Sequence, residues 1–528
     1  MGGIELARPL YFWLGFLATA AGVLLHLPMY LHGADMHYKL AGMMMDTPMT
    51  IGMILILIGL AAAWYGLVPK GAFQSRSAGE VRVRALDDAR MRPAHIGLIL
   101  VLSVAVIIDA MKPITLGFVV PGMSQEYGLK TAMNPHGEWP SAILPFAGLT
   151  GTVLGSLLWG WMGDRIGRKP SILFAGVLFI GTAICGAMPD IRWNLVMCLL
   201  MGLGAGGMLP ITFSLLAETI PPRHKGWVMV LIGGNLAIAY VVASWLAASL
   251  VPTYSWRVLW LIGMPTGVVL ILLNKFIPES PRFLLAHGRD AEARSIMTRY
   301  GAATTNADPE VERVEDQEEG GYARLFRRPF TGLTAAVVVL GLSIGLVTYG
   351  FQLWIPSNLQ KLGLDQPTAA RALRDSALLG LPLIFISAAM YGLWSAKKTI
   401  IVLSALVGAA LVVLSFAGES LAQDRTWLYV LLAGPIVGTA TIGAVLAAYS
   451  SEIYPTRIRS RGSGLSAGVG KFGGVAVTAV LVAGAAAPSI GATALLGAIP
   501  LVLAVVAVLL FGVETSKTTA TELEPATR

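Results

Sequence analysis

Three ionisable residues stand inside long apolar runs of the chain: Asp109, Lys112 and Lys471. A charge in hydrocarbon costs on the order of 3 kcal/mol on insertion scales, so such a group is a functional candidate by default. Asp109 and Lys112 are one helical turn apart and share a face. At a rise of about 1.5 Å per residue, Asp109 lies about 20 Å and Lys471 about 15 Å into their runs. Burial and a neighbouring lysine act on a carboxylate in opposite senses, and a group balanced between them can take up and release a proton. The two lysines can attract an anion or pair with Asp109. The competing reading is a structural Asp109–Lys112 pair with no such role.

Uncharged candidates surround these three. One apolar run carries Tyr349, Gln352, Trp354 and Asn358, and another carries Asn235. Aromatic walls with a few hydrogen-bonding groups suit a small organic ligand, although Trp and Tyr also decorate membrane surfaces. The N-terminal region gathers His26, Met29, His32, Met36 and His37. Thioether and imidazole ligands select copper(I), so a metal site is an alternative expectation there. Against it, methionine is an ordinary flexible apolar filler.

Other chemistries are excluded by what the chain lacks. There is no phosphate-binding Gly-x-x-x-x-Gly-Lys-Ser/Thr loop, and no nucleophile–base pair in a recognisable setting. Cys185 and Cys198 both lie in apolar runs, so they form neither a disulfide framework nor a paired-cysteine metal site. No cofactor is expected.

The elements that must position these groups follow from composition. Hydrophobic residues make up 55% of the 528 and charged residues 13%, where a soluble domain carries about 25% charged. The mean hydropathy is +0.70. Such surplus apolar surface belongs in lipid, where helices satisfy every backbone polar group internally. Spans of about 20 apolar residues read at 9–31, 48–68, 96–120, 141–162, 170–188, 194–217, 226–250, 256–277, 331–356, 373–395, 399–417, 426–450, 462–485 and 490–513. The fold class is therefore an all-α polytopic membrane protein with fourteen spans.

The net charge of +8 reflects topology rather than nucleic-acid binding. If every span is counted, the basic clusters all fall on one side, which the positive-inside rule makes cytoplasmic, together with both termini. The first run is too long, and too soon followed by a second, for a cleaved leader. The expected organisation is a transmembrane hairpin at 1–69 and a cytoplasmic linker at 70–95. A six-helix half at 96–277 follows, then a cytoplasmic loop at 278–330, a second half at 331–513 and a tail at 514–528.

The two halves repeat. Glu218 is followed by Pro221, Pro222, Arg223, His224, Lys225 and Gly226. Glu452 is followed by Pro455, Thr456, Arg457, Arg461 and Gly462. Each loop ends the fourth helix of its half, and two parallel halves around a midplane site is a known transporter plan. The run Gly163-Asp164-Arg165-Ile166-Gly167-Arg168-Lys169 resembles the major facilitator signature loop. Pro278-Glu279-Ser280-Pro281-Arg282-Phe283-Leu284-Leu285 resembles the sugar-porter and organic-ion-transporter signature. Two features of that branch are missing: the second signature loop is reduced to Leu393–Lys398 without its Asp, and the paired glutamines of the ninth span are absent.

The resemblance implies the major facilitator fold and alternating-access transport of a small organic solute, with Asp109 carrying a coupling proton. A basic residue such as Lys471 resembles the anion-handling members, which points to a carboxylate by symport. Proton-antiport efflux and copper import are the alternatives. The resemblance also implies a latch between the halves built from Asp164, Arg165, Arg168, Glu218, Arg223, Glu279, Arg282, Glu452 and Arg457. The expected partners are solute, protons and the bilayer, with the protein a monomer in the bacterial inner membrane.

Overall fold

The computed structural model describes residues 6–69, 81–85, 90–131, 134–306, 322–417, 420, 424–454, 456–484 and 489–514. Among these, fourteen helical segments are long and apolar enough to cross a membrane. The N-terminal hairpin is α1 (Pro9–Met36) and α2 (Thr47–Leu67). The first half is α3 (Pro93–Glu126), α4 (Ile143–Gly163), α5 (Arg168–Ala187), α6 (Ile191–Thr219), α7 (Pro222–Tyr254) and α8 (Val258–Phe276). The second half is α9 (Thr331–Lys361), α10 (Gln366–Leu393), α11 (Ala396–Ala417), α12 (Arg425–Ile453), α13 (Arg461–Ala483) and α14 (Ile490–Phe511).

Local chemistry sets many of the helix starts. Asp46, Asp190, Asp365, Asp424 and Ser489 each accept from a backbone N–H of the turn they open. Proline occupies the first turn of α1, α2, α3 and α7, where its missing N–H costs nothing. Several boundaries differ from the hydropathy reading, those of α10 and α9 among them. Helix α10 begins at Gln366 instead of 373, because its first turns carry Arg371, Arg374 and Asp375 and so do not score as apolar. Helix α9 runs on to Lys361 through a π-turn at Leu346–Phe351 and a 3-10 turn at Gln352–Trp354.

The segments outside the membrane are not plain loops. Strand β1 (Val81–Ala85), in the linker, pairs antiparallel with β2 (Ala302–Asn306), in the central segment. The central segment also folds as helices Pro281–Ala286 and Asp290–Tyr300. The all-α description therefore holds for the membrane part, with a small ribbon joined to it.

Small residues set how closely helices approach in lipid. A Cβ on Gly15 of α1 would fall 2.4 Å from the Ala63 nitrogen of α2, so the hairpin closes backbone to backbone. The hairpin rests on α5, with the Trp64 and Phe174 rings 5.3 Å apart. Its connecting loop docks on α3: Leu40 and Ala41 donate their N–H groups to Glu126 Oε1 at 2.7 and 3.0 Å. Glu126 is in turn held by Arg257 Nη2 at 2.6 Å and Trp256 Nε1 at 2.8 Å.

The two halves meet along a seam of α4 against α13, and of α7 against α10 and α12. At the end that bears the 163–169 loop, Gly226 of α7 has no room for a Cβ, with Tyr391 Cε1 at 2.5 Å and Glu452 Oε1 at 3.1 Å from that position. At the other end Gln366 Nε2 donates to the Phe118 carbonyl at 3.3 Å. The halves therefore touch at both ends of the bundle.

Candidate functional site

The three charges of the sequence analysis do come together. Asp109 is buried in α3, within electrostatic reach of both Lys471 and Lys112. Its Oδ1 has no hydrogen-bond partner. Lys112, one turn on, does not bond to it. Its Nζ donates to Thr266 Oγ1 of α8 at 3.1 Å and lies 5.2 Å from the centroid of the Phe179 ring of α5. Lys112 is thus turned into the interior of the first half.

Lys471 does the opposite and crosses the seam. From α13 its Nζ donates to Ser156 Oγ of α4, and to the Gly206 carbonyl of α6 at 3.1 Å. Ser156 Oγ also lies 2.9 Å from the same Gly206 oxygen. The sequence explains why that oxygen is available. A helical carbonyl accepts from the N–H four residues on, and four residues after Gly206 stands Pro210, which has none. Helix α6 breaks there, between segments Ile191–Ala205 and Met208–Thr219. Neither Ser156 nor Gly206 was a sequence candidate; Pro210 inside an apolar run was the signal available.

The second half contributes irregular backbone at the same level. Helix α12 carries a π-turn at Gly434–Gly438, matching that in α9, and such turns are frequent at functional sites. Gln352 Nε2 donates to the Pro435 carbonyl at 2.5 Å, which ties α9 to α12. Asn358 Nδ2 reaches Thr493 Oγ1 of α14 at 3.4 Å, an engagement inside its own half. Trp354 is buried with its indole N–H unpartnered, and Asn235 is buried with Nδ2 unpartnered. Tyr349 packs on Gly474, one turn beyond Lys471 on α13; a Cβ there would lie 2.3 Å from the Tyr349 ring.

Arg168, Glu218 and Glu279 of the charged loops form a staple. Glu279 Oε1 accepts from the Arg168 and Ser280 N–H groups at 2.9 and 2.8 Å, and its Oε2 from Lys169 N–H at 3.2 Å. Glu218 accepts from the Arg168 guanidinium, and from Ser280 Oγ at 2.7 Å. All of these residues belong to the first half or follow it directly. The network therefore ties α5, α6 and the end of α8 to one another, and the described partners of Arg168, Glu218 and Glu279 do not cross the seam. Burial pushes the Glu279 carboxyl above its ordinary range, and the three N–H donors and Arg168 offset only part of that. Gly167, with φ of 101°, permits the docking: a Cβ there would lie 2.5 Å from Glu279 Oε2.

Arg223 and Arg282 are exposed, and Glu452 is half-buried beside Gly226. Arg165 is half-buried. The side chains of Asp164 and Arg457 lie outside the described residues. His95 was missed at the sequence level. Its Nδ1 accepts from Arg92 N–H at 2.9 Å, which leaves Nε2 to donate to the Thr219 and Tyr300 carbonyls, each at 3.1 Å. It thereby joins α3, α6 and the helix Asp290–Tyr300.

The Met/His candidates of the hairpin differ in their burial. His26 is buried with Nδ1 2.7 Å from the Gly22 carbonyl, while His32, Met36 and His37 are exposed. Met29 is buried. Among the described residues no group of three or more His, Cys, Asp or Glu converges.

Two six-helix halves with buried charges where they meet form the frame of the site, and the family model and relatives that match the chain make it an integral membrane transporter of the major facilitator class, and not an enzyme. The chain belongs to the family described as "Sugar (and other) transporter", which it matches over residues 119–526. It is similar to the niacin transporter NiaP of Acinetobacter baylyi, 26% identical over 407 residues covering 76% of this chain and 89% of that one. It is also similar to the benzoate transport protein of the same organism, 25% identical over 74% and 83% of the two chains. A third relative there is the 4-hydroxybenzoate transporter PcaK, at 25% over 74% and 85%. Among solved structures, a D-xylose-proton symporter aligns with a TM-score of 0.61 at 17% identity, over 80% of this chain and 99% of that one. That likeness speaks for the fold.

Proposed function

We propose that the protein moves a small aromatic monocarboxylate together with a proton, by alternating access, across a bacterial cytoplasmic membrane. The observation that carries this reading is the bond from Lys471 across the seam to Ser156 and Gly206, with Asp109 in its field. A carboxylate is a stronger partner for an ammonium group than a hydroxyl or a carbonyl, because the bond is charge-assisted at both ends. An arriving carboxylate therefore competes for Lys471 and loosens α13 from α4 and α6. Asp109 takes the coupling proton, so that the loaded site carries no added charge into the apolar bundle.

The substrate class is supported by chemistry shared among the relatives. Those named for niacin, benzoate and 4-hydroxybenzoate all carry one carboxylate on an aromatic ring. Tyr349 and Trp354 supply aromatic surface on α9, and Asn235 a free polar donor on α7. The clustered bases support a cytoplasmic side for the 163–169 loop and both termini. The protein works as a monomer, since each chain contains both halves.

The test is transport by the full-length protein in proteoliposomes. Wild type should exchange labelled benzoate or nicotinate, and accumulate it when the outside is acidic. Asp109→Asn should keep exchange but lose proton-driven accumulation; intact accumulation would remove Asp109 from coupling. Lys471→Ala should lose both, and a failure of every aromatic carboxylate to exchange would sink the substrate class.

A further inference from the structure

Inside the first half lies a cavity of about 20 Å³, lined among others by Lys112, Thr115, Phe179, Thr182, Met201 and Trp260. That volume accommodates one water-sized occupant and not an aromatic acid. It is a separate place from the seam, since its walls come from α3, α5, α6 and α8 alone.

The cavity wall offers donors of positive character. Lys112 Nζ is bonded only to Thr266 Oγ1. Trp260 is 5% exposed and its indole N–H has no partner. The hydroxyl protons of Thr115 and Thr182 are already given to the Met111 and Leu178 carbonyls, at 2.7 and 3.0 Å. Among the described residues no carboxylate is ion-paired with Lys112. The titratable groups within its electrostatic reach are Asp109 and the buried thiol of Cys185. A buried ammonium with no counter-charge either gives up its proton or takes an anionic partner. When Asp109 holds a proton, no described residue of the first half supplies that charge.

We infer that this cavity is a binding site for a small inorganic monovalent anion of chloride size, held by Lys112 Nζ and the Trp260 indole N–H. The anion serves as counter-ion to Lys112 during the part of the cycle in which Asp109 is neutral. This role of the anion rests on the proton-coupling reading, whereas its binding does not.

The test uses purified full-length protein without transport substrate, followed by thermal unfolding. Sodium chloride or bromide is titrated against sodium gluconate at constant ionic strength. A ligand that binds only the folded state raises the melting temperature in a saturable way. Wild type should show saturable stabilisation by both halides. Trp260→Phe keeps the ring and removes the donor, and should weaken halide binding about tenfold, as expected for a hydrogen bond to a charged group. Lys112→Met should abolish the response while unfolding cooperatively in gluconate. An equal response to halide and gluconate in wild type would overturn the site, leaving water as the occupant. So would an unchanged halide response in Trp260→Phe, which stands as the arbiter should Lys112→Met fail to fold. Because no substrate is present, either result leaves the transport reading to its own assay.

Discussion

Lys471 in the second half and Gly206 in the first are joined by a 3.1 Å hydrogen bond, to a carbonyl that Pro210 leaves without a helical donor. The bond is a consequence of two separate sequence choices: a lysine in an apolar helix, and a proline one turn beyond a glycine. Restoring a donor at position 210 should let the helix reclaim the Gly206 oxygen. Pro210→Ala is therefore expected to weaken the bridge by about 1 kcal/mol, the net worth of one hydrogen bond. On the proposed mechanism substrate displaces that bridge, so carboxylate binding should tighten roughly fivefold, 1.4 kcal/mol being tenfold. Ligand-dependent thermal stabilisation of the variant reads this directly. Unchanged or weaker binding in a folded variant would show that the bridge does not compete with substrate.

The staple at the signature loops predicts a steric result. Gly167 has φ of 101°, and a Cβ on it would meet Glu279 Oε2 at 2.5 Å. Gly167→Ala must therefore strain the turn and push the carboxylate off its three N–H donors. Leaving buried groups unpaired costs about 1–3 kcal/mol. The melting temperature should fall by several degrees, and a variant as stable as wild type would show that the loop re-docks without the Glu279 contact.

Glu279 also predicts a pH dependence. Its carboxyl titrates above the ordinary value of 4.5 in the folded protein because burial disfavours the charged form. The folded state then binds this proton more tightly than the unfolded state, so its stabilising contribution is complete below about pH 4.5 and is lost as pH rises through the folded value. In wild type, stability should decline with pH just above 4.5 by this term. Glu279→Gln cannot titrate, so the difference in melting temperature between the two proteins should change across that window. Parallel profiles would remove Glu279 as the group responsible.

Much of the fold was legible before the structure, because the period and length of apolar runs carry it. All fourteen spans were present in the sequence, and the displaced start of α10 came from Arg371, Arg374 and Asp375, which hydropathy counts against a helix that in fact begins at Gln366. Asp109 and Lys471 were legible because charge in hydrocarbon is rare. Their partners were not. Ser156 and Lys471 are 315 positions apart, and a serine in an apolar helix carries no mark of what it faces. The reach of the staple was not legible for a related reason: the motifs identify which residues are charged, while the choice between bridging two halves and binding one together depends on chain geometry. The direction of Lys112, into its own half, was likewise set by packing against Phe179 and Thr266.

The N-terminal hairpin supplies the last prediction. Glu126 ends α3 and accepts from four donors: Leu40 and Ala41 N–H of the hairpin loop, the Trp256 indole and the Arg257 guanidinium. The Arg257 side chain is fully buried and that of Glu126 is 5% exposed. Breaking such a pair by removing one partner costs about 3–5 kcal/mol, since it leaves a buried charge uncompensated. Glu126→Ala should therefore lower the melting temperature substantially. It should also release the loop, whose Leu40 and Ala41 amides lose their acceptor. Hydrogen exchange at those amides should accelerate in the variant, while α1 and α2, held by contacts such as Gly15 against Ala63, remain protected. Exchange that accelerated equally along the whole hairpin would mean that Glu126 anchors the hairpin itself. Exchange confined to the loop would mean that the helices dock on α5 without it.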